Sequence, residues 1–423
     1  MRRSHSWSRA AEWTLTGLLV VAIAGYLVRG AGNPLDFYTY YYAATAEVLG
    51  LDPYRLDSLW AIAKKSVPPF YYPPVTFALF VPFTRLPMAA AAQVWLGLKL
   101  AMAASLIVVW KRWFLRDTSV ALIVLVAFFG FNSAMLWDLS TGNVSVLEQL
   151  LLWTAFACYL QERRLWFVVL VVLASVFKLL PITFLGLLLV PSKRHRQSYG
   201  LAAAGCAAFA AIVLLPGWLG LKWAHGFVPS LPTERPLGEI APSALGLLET
   251  WLGPVQWSAG LWQTGAGFRN LETHTLDWAL VLWVAFIAIL LFVSRSWLRQ
   301  IKSRQDPALS VAVASLAFAL ISPRMMAYSY ILLGAPALLL VRRFFPRWAQ
   351  AIAITLVVVQ GVFLYLRVMT PLRLPMAPYA VSVLLMNLSF LVALGLWLAL
   401  ALSPREESET GNSPCQGLNL ELC

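Results

Sequence analysis

The sequence predicts an all-α polytopic membrane protein with about twelve transmembrane helices. Of its 423 residues, 60% are hydrophobic and only 12% are charged, and its mean hydropathy is +0.73. That balance is typical of chains with many apolar spans and not of soluble globular domains. The Lys and Arg residues, which give a formal net charge of +13, cluster in short turns between apolar runs. This pattern orients membrane proteins, so the charge does not indicate a nucleic-acid partner.

Twelve apolar runs are the predicted crossings. Arg2, Arg3 and Arg9 are expected to hold the N-terminus in the cytoplasm, and from there every second turn is basic. The fifth and sixth runs are short, so we expect a bend at residues 178–181. The predicted crossings are 10–28, 89–110, 120–136, 146–160, 165–177, 179–190, 201–215, 276–293, 308–321, 328–340, 349–367 and 379–402.

These crossings form one predicted membrane domain, residues 1–402, with large outer segments at about 30–88 and 216–275. Residues 74–86 are apolar but short and contain proline, so we predict interfacial helices there. A crossing at that point would reverse the topology downstream. The polar tail, 403–423, is predicted to be disordered and cytoplasmic. The four cysteines are scattered without the spacing of a disulfide framework or a metal site.

A polar, aromatic stretch begins at Asp36, directly after the first crossing. Asp36, Tyr40 and Glu47 share one face of a predicted helix, which is expected to end at Gly50 and Pro53. A helix start favours an ionised carboxylate, and the surrounding phenols can donate hydrogen bonds or stack on a ligand. The alternative interpretation is an interfacial amphipathic helix with an aromatic belt.

Further polar side chains interrupt the apolar background on the predicted outer side. Asp138 and Asn143 bracket a glycine turn, and Lys178 lies between two short apolar runs. Arg324 follows a Ser-Pro pair and precedes Tyr328. An ionisable group at membrane depth costs about 2.5–3.5 kcal/mol, which makes each a functional candidate. Structural roles remain open: helix caps for the turn, snorkelling for Lys178 and a headgroup anchor for Arg324.

Together these groups suit chemistry on a lipid-borne phosphate. Cations can hold the phosphate, aromatic rings can stack on a sugar, and a carboxylate can take a proton from an incoming hydroxyl. The predicted substrate-binding residues are Tyr40, Tyr41, Glu47, Tyr72, Asp138, Asn143, Lys178, Arg324 and Tyr328.

Six short motifs follow one another along the chain. Each one alone is a weak signal, but their order as a set is fairly specific for one protein family. They are Tyr41-Tyr42-Ala43-Ala44 after Asp36, Gly50-Leu51-Asp52-Pro53-Tyr54, Tyr72-Pro73-Pro74, Asp138-Leu139-Ser140-Thr141-Gly142-Asn143, Phe177-Lys178-Leu179-Leu180-Pro181 and Ser322-Pro323. In this order the chain resembles glycosyltransferase family 87, mannosyltransferase-like membrane enzymes with the GT-C fold, over about residues 10–340. It departs from that pattern at Arg324, where some members carry His, and at Asn143, where Gln is common.

The resemblance implies a GT-C-like hexosyltransferase that uses a polyprenyl-phosphate sugar, mannose by preference, and a glycan or glycolipid acceptor. It implies inversion at the extracytoplasmic side of the inner (plasma) membrane, with Asp36 as catalytic base and no metal or other cofactor. Two alternatives stay open. One is a flippase or transporter of lipid-linked sugars, a class that favours internal repeats not visible here. The other is a non-catalytic scaffold for envelope assembly.

Overall fold

The computed structural model describes residues 4–30, 34–189, 195–218, 227, 242–252, 273–304, 306–368 and 387–402. Over these residues the chain consists of helices and their connecting turns, without a strand, which confirms the all-α prediction. We number the described α-helices α1 Ser4–Gly30, α2 Leu35–Val48, α3 Leu56–Ala63, α4 Pro74–Phe80, α5 Met88–Val109, α6 Val120–Phe129, α7 Ala134–Thr141, α8 Ser145–Leu160, α9 Arg164–Phe177, α10 His195–Trp218, α11 Ala244–Leu252, α12 Thr273–Arg304, α13 Pro307–Ile321, α14 Gly334–Phe344, α15 Ala349–Val368 and α16 Leu388–Leu402.

Three 3-10 helices and one π-helix complete the described elements. The π-helix Trp110–Phe114 extends α5, and the 3-10 helices are Val81–Arg85, Leu180–Leu189 and Ala327–Leu333. The second 3-10 helix follows a break in α9 at Lys178, which confirms the bend predicted at residues 178–181. Most of the outer segment 216–275 and all of the tail 403–423 lie outside the described residues, so the predictions made for them stay predictions.

Each predicted crossing overlaps a described helix, but the helix lengths do not establish twelve crossings. Three stretches among the described residues are long and apolar enough to cross a membrane: Met88–Phe114, Gln197–Leu214 and Trp278–Arg295. A fourth is possible if α6 and α7 form one bent span. The remaining apolar stretches whose side chains the structure describes, among them Ala10–Gly25 of α1 and Ala349–Val359 of α15, have 10–17 residues, whereas a bilayer core requires about 20. The fold is therefore that of a membrane protein with three to four candidate spans, and twelve crossings remain a prediction.

The predicted crossing 120–136 is a broken helix in the structure. Phe131, Asn132 and Ser133 have φ values of 52°, 56° and 54°, a left-handed conformation that stops an α-helix. As a result α7 leaves α6 at an angle of 62°. Gly130, Asn132 and Ser133 interrupt the apolar run at the break, and these residue types favour turns. The prediction of a crossing from hydropathy did not use that signal.

The helix predicted after Asp36 is α2, and it ends as expected, with Gly50 in a left-handed conformation at φ 72°. Its buried face packs on α4, Val81–Arg85 and α5 through aromatic rings. The rings of Tyr40 and Phe80 stack with centroids 4.8 Å apart, and Phe80 meets Trp95 of α5 edge-on at 4.9 Å. This aromatic cluster fixes α2 against the main helical body and sets the position of Asp36.

Candidate active site

The turn between α7 and α8 brings the site together. Gly142 has φ +77°, and a Cβ there would lie 2.6 Å from Cβ of Phe37 on α2. Its carbonyl accepts a 2.8 Å hydrogen bond from Nε1 of Trp95. Only glycine allows this conformation and this close an approach. The contact places the next residue, Asn143, against the first turn of α2.

Asn143 lies at the centre of the hydrogen-bond network of the site. Its Nδ2 lies 3.0 Å from Oδ2 of Asp36, 3.0 Å from the hydroxyl of Tyr40 and 3.1 Å from that of Tyr72. Its Oδ1 accepts from the backbone N–H of Ser145 at 3.0 Å and from the Ser145 hydroxyl at 2.9 Å. Since both Ser145 groups are donors to one atom, the amide can point only one way, with its nitrogen toward Asp36.

Asp36 combines partial exposure with an environment that makes it a better base. Burial raises the pKa of its carboxyl above the ordinary value, because desolvation disfavours the charged form. Hydrogen bonds from Asn143 and Thr141 and the positive charge of Lys99 oppose this rise. Desolvation also keeps the pKa of the buried Tyr40 phenol well above its usual range, so Tyr40 remains a neutral hydroxyl beside the carboxylate.

A buried ion pair lies behind this carboxylate. Nζ of Lys99, on α5, is 2.7 Å from Oδ2 of Asp138 on α7, and both side chains are almost fully buried. Lys99 also donates to the backbone carbonyl of Asp138, and Oδ1 of Asp138 accepts from the N–H of Ser145 at 3.1 Å. Asp138 is thus occupied by protein partners. Sequence reasoning missed Lys99, although a lone lysine within an apolar run was a signal for it.

A second ion pair joins Lys178 to Glu148 of α8, with Nζ 3.1 Å from Oε2. The ammonium also donates to the hydroxyls of Ser145 and Ser329, the latter at 3.0 Å, and lies 4.8 Å from the ring centroid of Tyr328. The predicted phosphate-binding cation therefore has a carboxylate beside it. Sequence reasoning missed Glu148, Ser145 and Ser329. The signal for Glu148 was an acidic residue one turn into an apolar helix.

The segment after α13 forms the remaining wall. Arg324 is partly buried, with Nη2 3.8 Å from the sulfur of Met326, and its charge acts on the buried Tyr328. Tyr328 also feels the charge of Asp36. This segment therefore bridges the region of Lys178 and the region of the predicted base.

An apolar groove of about 670 Å³ opens next to this wall. It runs between the 3-10 helix Leu180–Leu189 and α13, and its lining includes Ser322 and Pro323. Those two residues directly precede Arg324, and Leu180 follows Lys178 by two positions. The lining of the groove therefore comes within one to two residues of both predicted phosphate-binding cations along the chain.

Two predicted binding residues are placed elsewhere. The hydroxyl of Tyr41 donates to the carbonyl of Leu86 at 2.9 Å, away from Asn143. Glu47 lies three turns further along α2 than Asp36, about 16 Å along the axis at 1.5 Å per residue, and its charge acts on Tyr54. Substrate binding by Tyr41 and Glu47 stays a prediction. In the part of the chain that the structure describes, no group of three or more His, Cys, Asp or Glu side chains is arranged to hold a metal ion.

Comparison with models of protein families gives one match. The model described as glycosyltransferase family 87 matches residues 70–323, which is more than half of the chain. The matched range includes Asn143, Tyr72 and the ion pairs of Lys99 with Asp138 and of Lys178 with Glu148. Helix α2 with Asp36 precedes the range, and Arg324 follows it by one residue. A search of curated proteins gave no significant match.

Proposed function

Because the chain belongs to glycosyltransferase family 87, we propose that it transfers a hexose, mannose by preference, from a polyprenyl-phosphate donor to a hydroxyl of a glycan or glycolipid acceptor. The reaction takes place at the extracytoplasmic face of the inner membrane. The observation that carries the proposal is the juxtaposition of Asp36, a partly exposed carboxylate held by Asn143, with the cation Lys178 one hydrogen-bonded residue beyond that amide.

The proposed step is a single displacement with Asp36 as general base. The acceptor oxygen forms a bond to C1 of the sugar while its proton passes to the Asp36 carboxylate. The bond between C1 and the phosphate oxygen breaks, and its electron pair leaves with the polyprenyl phosphate, so the configuration at C1 inverts. The phosphate leaves already ionised and needs no general acid. The raised pKa of Asp36 supports this role, since a more basic carboxylate is the better proton acceptor.

The proposed donor site spans Lys178, Arg324 and the groove beside them. The two cations hold the phosphate, Arg324 with a planar fork that can engage two oxygens and Lys178 as a point charge. The groove takes the start of the polyprenyl tail, because its lining is mostly apolar and includes Ser322 and Pro323, which directly precede Arg324 in the sequence. Lys178 is shared with Glu148, so the donor phosphate must compete with that carboxylate.

The decisive experiment replaces Asp36 in purified protein reconstituted in nanodiscs. With polyprenyl-phosphate mannose as donor, Asp36→Asn keeps the shape and the hydrogen bond from Asn143 but removes the proton acceptor. We expect kcat to fall about 10²–10⁴-fold, the usual value of general-base catalysis, with little change in donor KM. The matched control is Asp52→Asn, because in the described contacts the Asp52 side chain accepts from the Tyr54 N–H in a turn, and an asparagine oxygen can accept in the same way.

Three outcomes contradict the proposal at different levels. Near-wild-type turnover by Asp36→Asn removes Asp36 as the base. Failure of wild-type protein to use any polyprenyl-phosphate sugar, in an assay that includes glucose, galactose and arabinose donors, removes the proposed donor class. Movement of the intact lipid-linked sugar across a vesicle membrane without transfer supports a flippase instead.

A further inference from the structure

A chain of hydrogen bonds connects the two ends of the site. Nζ of Lys178 donates to Oγ of Ser145. The Ser145 hydroxyl donates to Oδ1 of Asn143 at 2.9 Å, and Nδ2 of Asn143 donates to Oδ2 of Asp36 at 3.0 Å. Ser145 and Asn143 are fully buried. The path therefore runs through the protein interior from a cation on the donor side to the carboxylate on the acceptor side.

The direction of every bond follows from the chemistry of the donors. An ammonium group can only donate, so the Ser145 oxygen accepts from Lys178 and its single hydrogen remains for Asn143. The amide of Asn143 then presents its N–H to Asp36. In a buried chain of this kind each bond polarises the next. A change at Lys178 is thus felt at Asp36 without movement of the backbone.

The Ser145 hydroxyl is not needed to hold Asn143 in place. The backbone N–H of Ser145 donates to Oδ1 of Asn143 and also lies 3.1 Å from Oδ1 of Asp138, and both bonds survive removal of the hydroxyl. Lys178 likewise retains Glu148 and Ser329. The hydroxyl joins two sites that are each anchored without it.

We propose that Ser145 is a positioning residue that couples donor occupancy at Lys178 to the base Asp36 through Asn143. The inference rests on the proposed function, in which the donor phosphate binds Lys178. A bound phosphate draws the ammonium hydrogens away from Ser145, Asn143 donates less strongly, and the Asp36 carboxylate becomes more basic. The base is therefore strengthened when the donor is in place.

The test uses the pH dependence of kcat/KM for polyprenyl-phosphate mannose as donor, which reports the enzyme before the donor binds. Ser145→Ala removes the hydroxyl, so in the free enzyme Asn143 stabilises the Asp36 carboxylate less and the pKa of Asp36 rises. We expect the acidic limb of the profile to move upward by about 0.1–0.6 pH unit, the effect of weakening one charge-assisted hydrogen bond by about 10–30%, with donor KM nearly unchanged. Ser145→Thr, which keeps a hydroxyl, restores the wild-type profile, and Ser145→Cys, a weak donor, gives an intermediate one.

Other groups around Asp36 are the same in all these variants. The charged or titratable side chains that act on it or accept from the same amide are Tyr40, Tyr72, Lys99, Asp138 and Tyr328. The matched control is Ser175→Ala. Ser175 is a buried serine of α9 whose hydroxyl bonds only within its own helix in the described contacts, to the carbonyl of Val171, and we expect the wild-type profile.

A second set of variants distinguishes two ways in which Lys178 could affect Asp36. One is coupling through the hydrogen-bond chain Lys178–Ser145–Asn143–Asp36, which we call the relay, and the other is direct electrostatic interaction through space. The pair Lys178→Met/Glu148→Gln removes the ammonium without leaving a buried carboxylate unpaired. If the relay operates, this pair moves the acidic limb in the wild-type background and has no further effect on top of Ser145→Ala. Equal shifts in both backgrounds mean that Lys178 acts through space, which overturns the proposal.

The outcomes for the relay and for the proposed function are distinguishable. A wild-type profile in Ser145→Ala, while Asp36→Asn is inactive, overturns the relay alone, and so does a lowered Tm without a shifted limb. Wild-type turnover by Asp36→Asn overturns the assignment of the base whatever Ser145 does.

Discussion

Lys99 and Asp138 are 1% and 0% exposed in their side chains, so neither charge can recover its hydration if the other is removed. Breaking a buried ion pair by deleting one partner typically costs about 3–5 kcal/mol, whereas neutralising both is often tolerated. We expect Lys99→Met to lower the apparent Tm in detergent strongly. Lys99→Met/Asp138→Asn should recover much of the loss, because Asn still accepts from the N–H of Ser145.

The control for this pair is Lys64→Met, a change at an exposed lysine that should leave the Tm within a degree or so of wild type. A double variant no more stable than Lys99→Met contradicts the account, because the penalty would then not come from the unpaired carboxylate.

The donor phosphate gives a second test at this scale. Lys178→Ala and Arg324→Ala should each raise the donor KM about tenfold, as expected for loss of a charge-assisted bond. Arg324→Lys should weaken donor use as well, because a point charge replaces a two-pronged donor. Glu148→Gln should lower the donor KM, because it removes the carboxylate that competes for Lys178. The measurement is initial rate against donor concentration, with Glu162→Gln at an exposed turn as control.

Unchanged donor kinetics in both alanine variants would mean that the two cations serve only the structure or the membrane interface. A raised KM in Glu148→Gln would place the phosphate away from Lys178 and would count against the competition argued above.

At the scale of residues, polar side chains within apolar runs could be identified from the sequence, whereas the residues that contact them could not. Asp36, Asn143 and Lys178 are recognisable because polar side chains are rare in this chain. Their mutual contacts are not, since Asn143 and Asp36 are 107 positions apart. Glu148 and Ser145 remained hidden because an acid and a serine at a helix start read equally well as ordinary helix N-terminal residues.

Among the elements, the α7–α8 turn is constrained by the close packing of Gly142 against Phe37. Gly142→Ala adds a Cβ that meets Phe37 at 2.6 Å in a conformation with φ +77°, so α2 must move away from the turn. Because α2 carries Asp36 and the turn carries Asn143, we expect both a lower Tm and a fall in kcat of at least about tenfold, as small misplacements of a catalytic group are costly. The measurements are thermal unfolding and single-turnover transfer.

Gly97→Ala on α5 is the matched control. A Cβ there meets nothing within 4 Å, and alanine favours a helix over glycine by about 0.5–1 kcal/mol. We expect unchanged activity and equal or slightly higher stability. Full activity in Gly142→Ala would show that the contact with Phe37 does not set the position of Asp36.

Helix positions and the break at Lys178 were predictable, whereas the break between α6 and α7 was not predicted. The ends of α2 followed from Gly50 and Pro53, and the bend at Lys178 from two short apolar runs. The break between α6 and α7 depends on three consecutive left-handed residues, Phe131, Asn132 and Ser133. Asn132 adopts the left-handed region more readily than most residues, and Gly130 and Ser133 beside it also favour turns, so the residues did carry a signal that hydropathy alone ignores.

On the scale of the whole molecule, the sequence predicts twelve crossings of the bilayer, whereas three to four described helices are long enough to be candidate spans. A helix such as α8, with 16 residues, is about 24 Å long at 1.5 Å per residue, less than the roughly 30 Å hydrocarbon core. Short helices can still cross where the bilayer thins or flanking side chains snorkel. The alternation of basic turns favours crossing, whereas helix length alone favours three or four spans.

Cysteine labelling decides between these descriptions. In a background with the four native cysteines replaced, Ser66→Cys lies at an exposed position in the first outer segment, and Asp117→Cys at an exposed position after the π-helix. If α5 crosses the membrane, an impermeant thiol reagent applied to intact cells labels position 66 and spares position 117 until the cells are opened. Gln161→Cys, at the exposed turn between α8 and α9, should behave like position 117 if both short helices cross. Labelling of position 117 with protection of position 66 would invert the predicted topology and place Asp36 on the cytoplasmic side. Labelling of position 161 in intact cells would show that α8 does not return to the inner face.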